Sequence, residues 1–235
     1  MTNNPLMEVA LLQGHAPYTL AGYEKFRSVI DSDGALPAKF KALFAAAAAI
    51  DRRHLALARR EFRRGVVLGL TPKEATAGLI VLASLRGEAA AIDFALIIDE
   101  SFDDPAAPPP QALPNAAAGE AEANFRAYWA GSIPAPLAQL MRLVPAAADA
   151  YYLMRRGSID ANPLSPKYGE LLLLAILAAG YSPMAATHVR GARNAGATDE
   201  EIAEAVLCAI PAAGIAAWMA VGGMLAPPEE GGIAR

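Results

Sequence analysis

The sequence predicts an all-α protein, and three observations carry that prediction. No stretch alternates apolar and polar residues for long, so strand signals are nearly absent. Long alanine- and leucine-rich runs are bounded by recognisable helix caps and stops. One capping device is written twice, as "TPKE" (Thr71 to Glu74) and "TDEE" (Thr198 to Glu201). In each, the threonine hydroxyl can accept from the glutamate amide while the glutamate carboxylate reaches back to the threonine.

The elements follow in chain order. The opening "MTNNPLMEVALLQGHAPYT" has neither a positive n-region nor a long apolar h-region, so it does not read as a secretory leader, and a cytoplasmic location is expected. The segment "YEKFRSVIDSDGALPAKFKALFAAA" (23 to 47) and the capped helix after Thr71 form a first helical unit. Residues 103 to 122, "DDPAAPPPQALPNAAAGEAE", contain too many prolines for a continuous helix and read as a connector. "AEANFRAYWAG" reads as a helix leading into a second unit. There, Ser165 is placed as an N-cap, Pro166 at the first helical position and Gly180 as a stop for "PKYGELLLLAILAAG". "PMAATHVRGARNAG" is a further helix, ending at Gly196.

The two units share spacing as well as composition. At a shift of 128, Tyr23 meets Tyr151, Arg27 meets Arg155, Leu36 meets Leu164, Lys39 meets Lys167 and Leu43 meets Leu171. At 127, Arg63 meets Arg190, Gly69 meets Gly196, Thr71 meets Thr198, Glu74 meets Glu201 and Gly87 meets Gly214. The expectation is a tandem duplication: a first repeat over residues 1–100, a connector and lead-in helix over 101–149, and a second repeat over 150–235.

Composition excludes several functions. With 54% apolar and 19% charged residues, extended disorder is excluded for most of the chain. A net charge of −4 with mixed signs, and no basic stripe interleaved with aromatics, argues against nucleic acid as a partner. One cysteine, Cys208, allows neither an intramolecular disulfide nor a CxxC pair. Residues 205 to 226 carry no charge and are long enough to span a bilayer. Their alanine and glycine content and internal Pro211 make buried bundle helices the better reading, and no membrane partner is expected. His15, His54 and His188 show no metal-binding spacing, and no phosphate loop is present.

His188 is the candidate for chemistry. Its helical neighbours at three and four residues are Met184, Ala185, Gly191 and Ala192, so the ring stands amid small residues on an inward face. That position suits a general base; it equally suits a core histidine paired with a facing carboxylate. Glu170, at the head of "ELLLLAILAAG", is the carboxylate in reach, or else a first-turn glutamate favoured by the helix dipole.

The strings "ELLLLAILAAG" and "HVRGARNAGATDEEIAEAV" resemble the carboxymuconolactone decarboxylase family, whose all-helical fold is shared with AhpD-type alkylhydroperoxidases. The resemblance covers about 60 residues of the second unit. It implies an AhpD-like helical bundle, and cofactor-independent acid–base chemistry on a small carboxylated lactone or organic acid, with no metal. Under it, His188 and Glu170 are catalytic. Arg190 matches an arginine of the family string, although the helical wheel turns it away from His188. The peroxidase branch requires cysteines seven and four residues before the histidine, where this chain has Tyr181 and Met184, so cysteine peroxidase chemistry is not expected. In the first unit Glu61 stands where the second has His188. "AIPAAGIAAW" lacks a tyrosine the decarboxylases usually carry, and Tyr181 and Trp218 are candidates to refill that space or to serve as core. The cluster "RREFRRG" supplies Arg59, Arg60, Arg63 and Arg64, read either as a solvated basic face or as a source of one substrate-binding cation, with Arg63 the candidate. A non-catalytic helical assembly protein is the competing expectation. Because single-unit relatives resemble oligomers of paired subunits, a fused pair is expected to form a closed homo-oligomer, a trimer first.

Overall fold

Residues 4–102 and 109–225 are described by the computed structural model, and every regular element among them is helical. After a 3-10 turn at Pro5–Glu8 come α1 (Ala10–His15), α2 (Pro17–Asp31), α3 (Ala38–Asp51), α4 (Leu55–Val67), α5 (Pro72–Arg86) and α6 (Glu88–Asp99). The second half holds α7 (Glu120–Tyr128), α8 (Ala135–Leu143), α9 (Pro145–Ser158), α10 (Pro166–Ala179), α11 (Ala185–Asn194), α12 (Asp199–Leu207), α13 (Ile210–Ala213) and α14 (Ala216–Val221), with a 3-10 turn at Gly222–Leu225.

The core is built on α3 and α10. Phe40 through Ile50 are all buried on α3, as are Gly169 through Ala179 on α10. Neither helix therefore has a polar face over these stretches, and each must be wrapped on all sides. The alanine run of α3 permits close approach, and α10 packs directly against it. Helices α2, α4, α5, α6 and α13 complete the jacket around α3, while α5, α11, α12, α13 and α14 surround α10. A separate small cluster of Ala121, Phe125, Trp129, Leu137, Ala148 and Tyr152 seats α7 and α8 on α9.

Both capping boxes form. Glu74 N–H donates to the Thr71 hydroxyl and Glu201 N–H to the Thr198 hydroxyl, each at 3.2 Å, and both glutamates reach back to the threonine amide. The same carboxylates accept from Lys39 and Lys167, each at 2.6 Å. Helices α2 and α9 both begin on a proline, 128 residues apart, and the bounds of α3 and α10 are offset by the same 128. Gly69 and Gly196 (φ +88° and +86°) turn the chain after α4 and α11. A partly buried link then joins the two ends of the chain. The Glu204 carboxylate of α12 accepts from the Ala35 and Leu36 amides at 3.0 and 2.9 Å and from Lys41 Nζ at 3.0 Å.

The expectation at Ser165 needs correction. Ser165 occupies the N-cap position of α10, but its side chain makes no capping bond. Helix α10 does stop at Gly180, its C-cap at φ −82°, and Tyr181 takes the left-handed conformation at φ +53°. The uncharged run from residue 205, read as bundle helices, is divided among α12, α13 and α14, with Gly214 at φ +70° breaking it between the last two. No helix among the described residues is long and apolar enough to cross a membrane. Part of the proline-rich connector, residues 103–108, lies outside the described residues.

The arginine cluster of α4 is not a solvated basic face, because a fully buried carboxylate sits inside it. Glu61 accepts from Arg27 Nη1 and Nη2 at 3.0 and 3.2 Å, from Arg60 Nη2 at 2.7 Å and from Arg64 Nε at 3.1 Å. Arg59 pairs with Glu100 through two bonds, and Arg63 is left exposed. Burial alone would raise the Glu61 pKa, but the charges of Arg27 and Arg64 outweigh it and hold the carboxyl below its ordinary range. A carboxyl whose folded pKa is depressed adds stability that is present above its unfolded pKa and lost as pH falls through the folded value. We therefore expect Glu61→Gln to cost about 3–5 kcal/mol at pH 7, the range for breaking a buried ion pair from one side. Urea unfolding along a pH series should show that difference shrinking below about pH 4, the ordinary carboxylate range. A constant difference down to acid pH would contradict the assigned network.

Candidate functional site

The first turns of α10 project Glu170 into the interior, where the residue is 2% exposed. Helix α11 crosses it and brings His188 alongside. His188 Nδ1 lies 2.7 Å from Glu170 Oε2. The close crossing depends on Gly191. A Cβ there would meet the Glu170 carboxylate at 2.6 Å, so the missing side chain makes the room the carboxylate occupies. The other carboxylate oxygen, Oε1, accepts from the Tyr128 hydroxyl of α7 at 3.1 Å. Burial first, and the adjacent Glu170 charge second, raise the Tyr128 pKa well above the ordinary phenol range. The phenol therefore stays protonated and donates.

This arrangement fixes the histidine tautomer. With Glu170 ionised and the imidazole neutral, the proton must sit on Nδ1, leaving the Nε2 lone pair as the ring's available acceptor. Nε2 makes no hydrogen bond within the described residues. His188 lines a cavity of about 50 Å³ together with Tyr128, Trp129, Tyr151, Arg155 and Leu173, among others. Ser84 and Leu85 of α5 also line it, so the first half of the chain contributes to the wall. A wider groove of about 450 Å³ lies against the same wall, and Tyr128, Arg155 and Ile159 border both spaces. The Arg155 guanidinium stacks 3.7 Å from the Tyr128 ring centre, and its Nη1 donates to Asn124 at 2.9 Å.

Of the residues singled out from sequence, His188 and Glu170 meet. The others do not join them. Tyr181 is exposed and donates its hydroxyl to the Ala213 carbonyl at 2.6 Å. Arg190 is exposed on the far side of α11, as the helical wheel indicated. Trp218 is half-buried against Gly222 near the chain's end. Arg63 belongs to the α4 surface, where it borders an open concavity with Arg59, Arg60 and Arg64. Sequence reasoning missed Tyr128, Trp129 and Arg155. Tyr128 and Trp129 stand in "FRAYW", whose aromatics signalled burial but no partner; Arg155 had a signal in its pairing with Arg27.

Cys208 is fully buried. Its thiol donates to the Glu204 carbonyl at 3.1 Å, and burial pushes its pKa up to about 12, so no thiolate forms near neutral pH. Among the described residues, no three His, Cys, Asp or Glu side chains are grouped so as to hold a metal ion.

Residues 145–225, which include α9 to α14, match the model of the carboxymuconolactone decarboxylase family. No curated protein matches the chain.

Gly191 offers a direct test of this geometry. The alanine methyl of Gly191→Ala should push the Glu170 carboxylate away from His188, at about 1–3 kcal/mol for overpacking. An Nδ1 proton held against a carboxylate should give a downfield, slowly exchanging NMR resonance. We expect the resonance in the wild type and its loss in Gly191→Ala. Its persistence in the variant would refute the assigned contact.

Proposed function

We propose that the chain is a cofactor-independent enzyme that performs acid–base chemistry, decarboxylation or a close relative of it, on a small carboxylated lactone or organic acid. One observation carries the reading: a buried carboxylate, held by a half-buried tyrosine, orients an imidazole on the wall of a cavity. In a decarboxylation, the carbon–carbon bond to the carboxylate breaks and its electron pair moves onto the conjugated carbonyl, releasing carbon dioxide and leaving a dienolate. Nε2 of the neutral ring first takes a proton from solvent; the resulting His188 imidazolium gives that proton to carbon and returns to the neutral Nδ1–H imidazole. Glu170 stabilises the imidazolium, and Tyr128 fixes the carboxylate.

A second reading, a helical assembly protein without catalysis, is favoured by the cavity's size. About 50 Å³ is far below the 300–1,000 Å³ of ordinary ligand sites. For the enzyme reading, Tyr128 and Arg155 must swing apart so that cavity and groove join. We also read the matched caps, lysine–glutamate pairs and helix bounds as marks of a duplicated unit, and propose that the chain forms a closed homo-oligomer, a trimer first. Ile92 and Leu96 lie one turn apart on α6 and are both exposed, as an association surface requires.

Two measurements test these readings. Carboxylated lactones and related acids are screened for carbon dioxide release by wild type and His188→Ala, with folding checked by circular dichroism. The enzyme reading expects turnover to fall 10²-fold or more in the variant, as for loss of a general acid–base group. Equal turnover, or none with any acid, favours the assembly protein. Light scattering should give a multiple of the 24.5 kDa chain mass; a monomer across micromolar concentrations would remove the oligomer proposal.

A further inference from the structure

Arg27 and Arg155 hold the same step on α2 and α9, the eleventh residue of helices that both begin on proline. Both are buried. Their surroundings differ in the counter-charge. Arg27 spends its fork on two carboxylates: Glu61 at 3.0 and 3.2 Å, and Asp31, one turn along its own helix, at 2.5 and 3.3 Å. At the matching places the second half has His188 for Glu61 and Ile159 for Asp31. No carboxylate among the described residues comes within ion-pair distance of Arg155; its guanidinium donates to the neutral Asn124 and lies against Tyr128.

A buried guanidinium without a direct ion pair is costly, because desolvation is not repaid by a carboxylate in contact; Glu170, whose charge acts on the same Tyr128 and Tyr151, is itself taken up by Tyr128 and His188. The site tolerates it where one edge meets a wet space, and Arg155 borders both the His188 cavity and the open groove. The planar fork of arginine fits a carboxylate through two parallel bonds. We propose that Arg155 is the carboxylate anchor of this site, and that a ligand's carboxylate takes the place beside it that Glu61 and Asp31 fill beside Arg27. The ligand class is a small organic anion with at least one free carboxylate, entering from the groove. The remainder of the molecule then faces His188 across the same cavity wall. In this geometry the first half is a self-filled copy of the binding site, and Ile159 keeps the second copy open.

This inference rests on the proposed acid–base site, and its test separates the two. The probes are cis,cis-muconate, levulinate and 5-oxotetrahydrofuran-2-carboxylate, each against its methyl ester. Binding is followed by calorimetry and by the fluorescence of Trp129 in the cavity wall, compared with Trp129→Phe to subtract Trp218. Wild type should bind at least one acid at least tenfold more tightly than its ester. Arg155→Gln should abolish that preference, and Arg155→Lys should restore part of it. Ile159→Asp keeps the arginine and supplies the missing internal carboxylate, so it should lose acid binding while circular dichroism and melting show a folded chain. The proposal is overturned if no acid binds the wild type, or if folded Arg155→Gln or Ile159→Asp keeps the acid-over-ester preference. Carboxylate binding without carbon dioxide release would refute the decarboxylation reading and leave the anchor standing. Release that persists unchanged in Arg155→Gln would do the reverse.

Discussion

Everything else in the molecule is arranged around the burial of α3 against α10. Both helices lack a polar stripe over most of their length, so neither can lie on a surface. Each of the surrounding helices has one apolar face to spend on this pair, and the order of the chain is a way of delivering those faces. The first turns of α10 are the place where polar chemistry is let into this core. Glu170 follows Gly169 at the head of the buried run, and its charge is met by groups brought from α11 and α7.

Much of this was legible in the residues. Thr71 and Thr198 announced their helices because a capping box is a local device, satisfied within four residues. His188 and Glu170 could be paired because a small-residue face on one helix and a carboxylate at the head of another each pointed inward. What local patterns could not supply was the third dimension. Tyr128 reaches Glu170 from 42 residues away, through a helix whose position is set by the separate aromatic cluster over α9. Tyr181 and Trp218 were chosen for size, yet their places follow from the left-handed turn after α10 and from the break at Gly214. The α4 arginines were misread for a related reason. Their sequence shows four positive charges, and only the fold shows that Glu61 among them is fully buried.

The two halves solve one electrostatic problem in opposite ways. In the first, Arg27 is neutralised by side chains of the chain itself, which makes a stiff internal tie between α2 and α4. In the second, the corresponding tie is missing, and aromatic stacking on Tyr128 and one bond to Asn124 hold Arg155 instead. Sites for chemistry commonly stand where a scaffold leaves its own interactions incomplete.

The small aromatic cluster under α7 and α8 has a dynamic consequence. It is a core of its own, joined to the main body largely through α9, and few apolar side chains secure it. A unit of that size opens at a lower free energy than the body built on α3 and α10. Tyr128 and Trp129 travel with it. The wall of the candidate site formed by Tyr128 and Trp129 thus rests on this small core, and local opening there exposes the wall without unfolding the body built on α3 and α10.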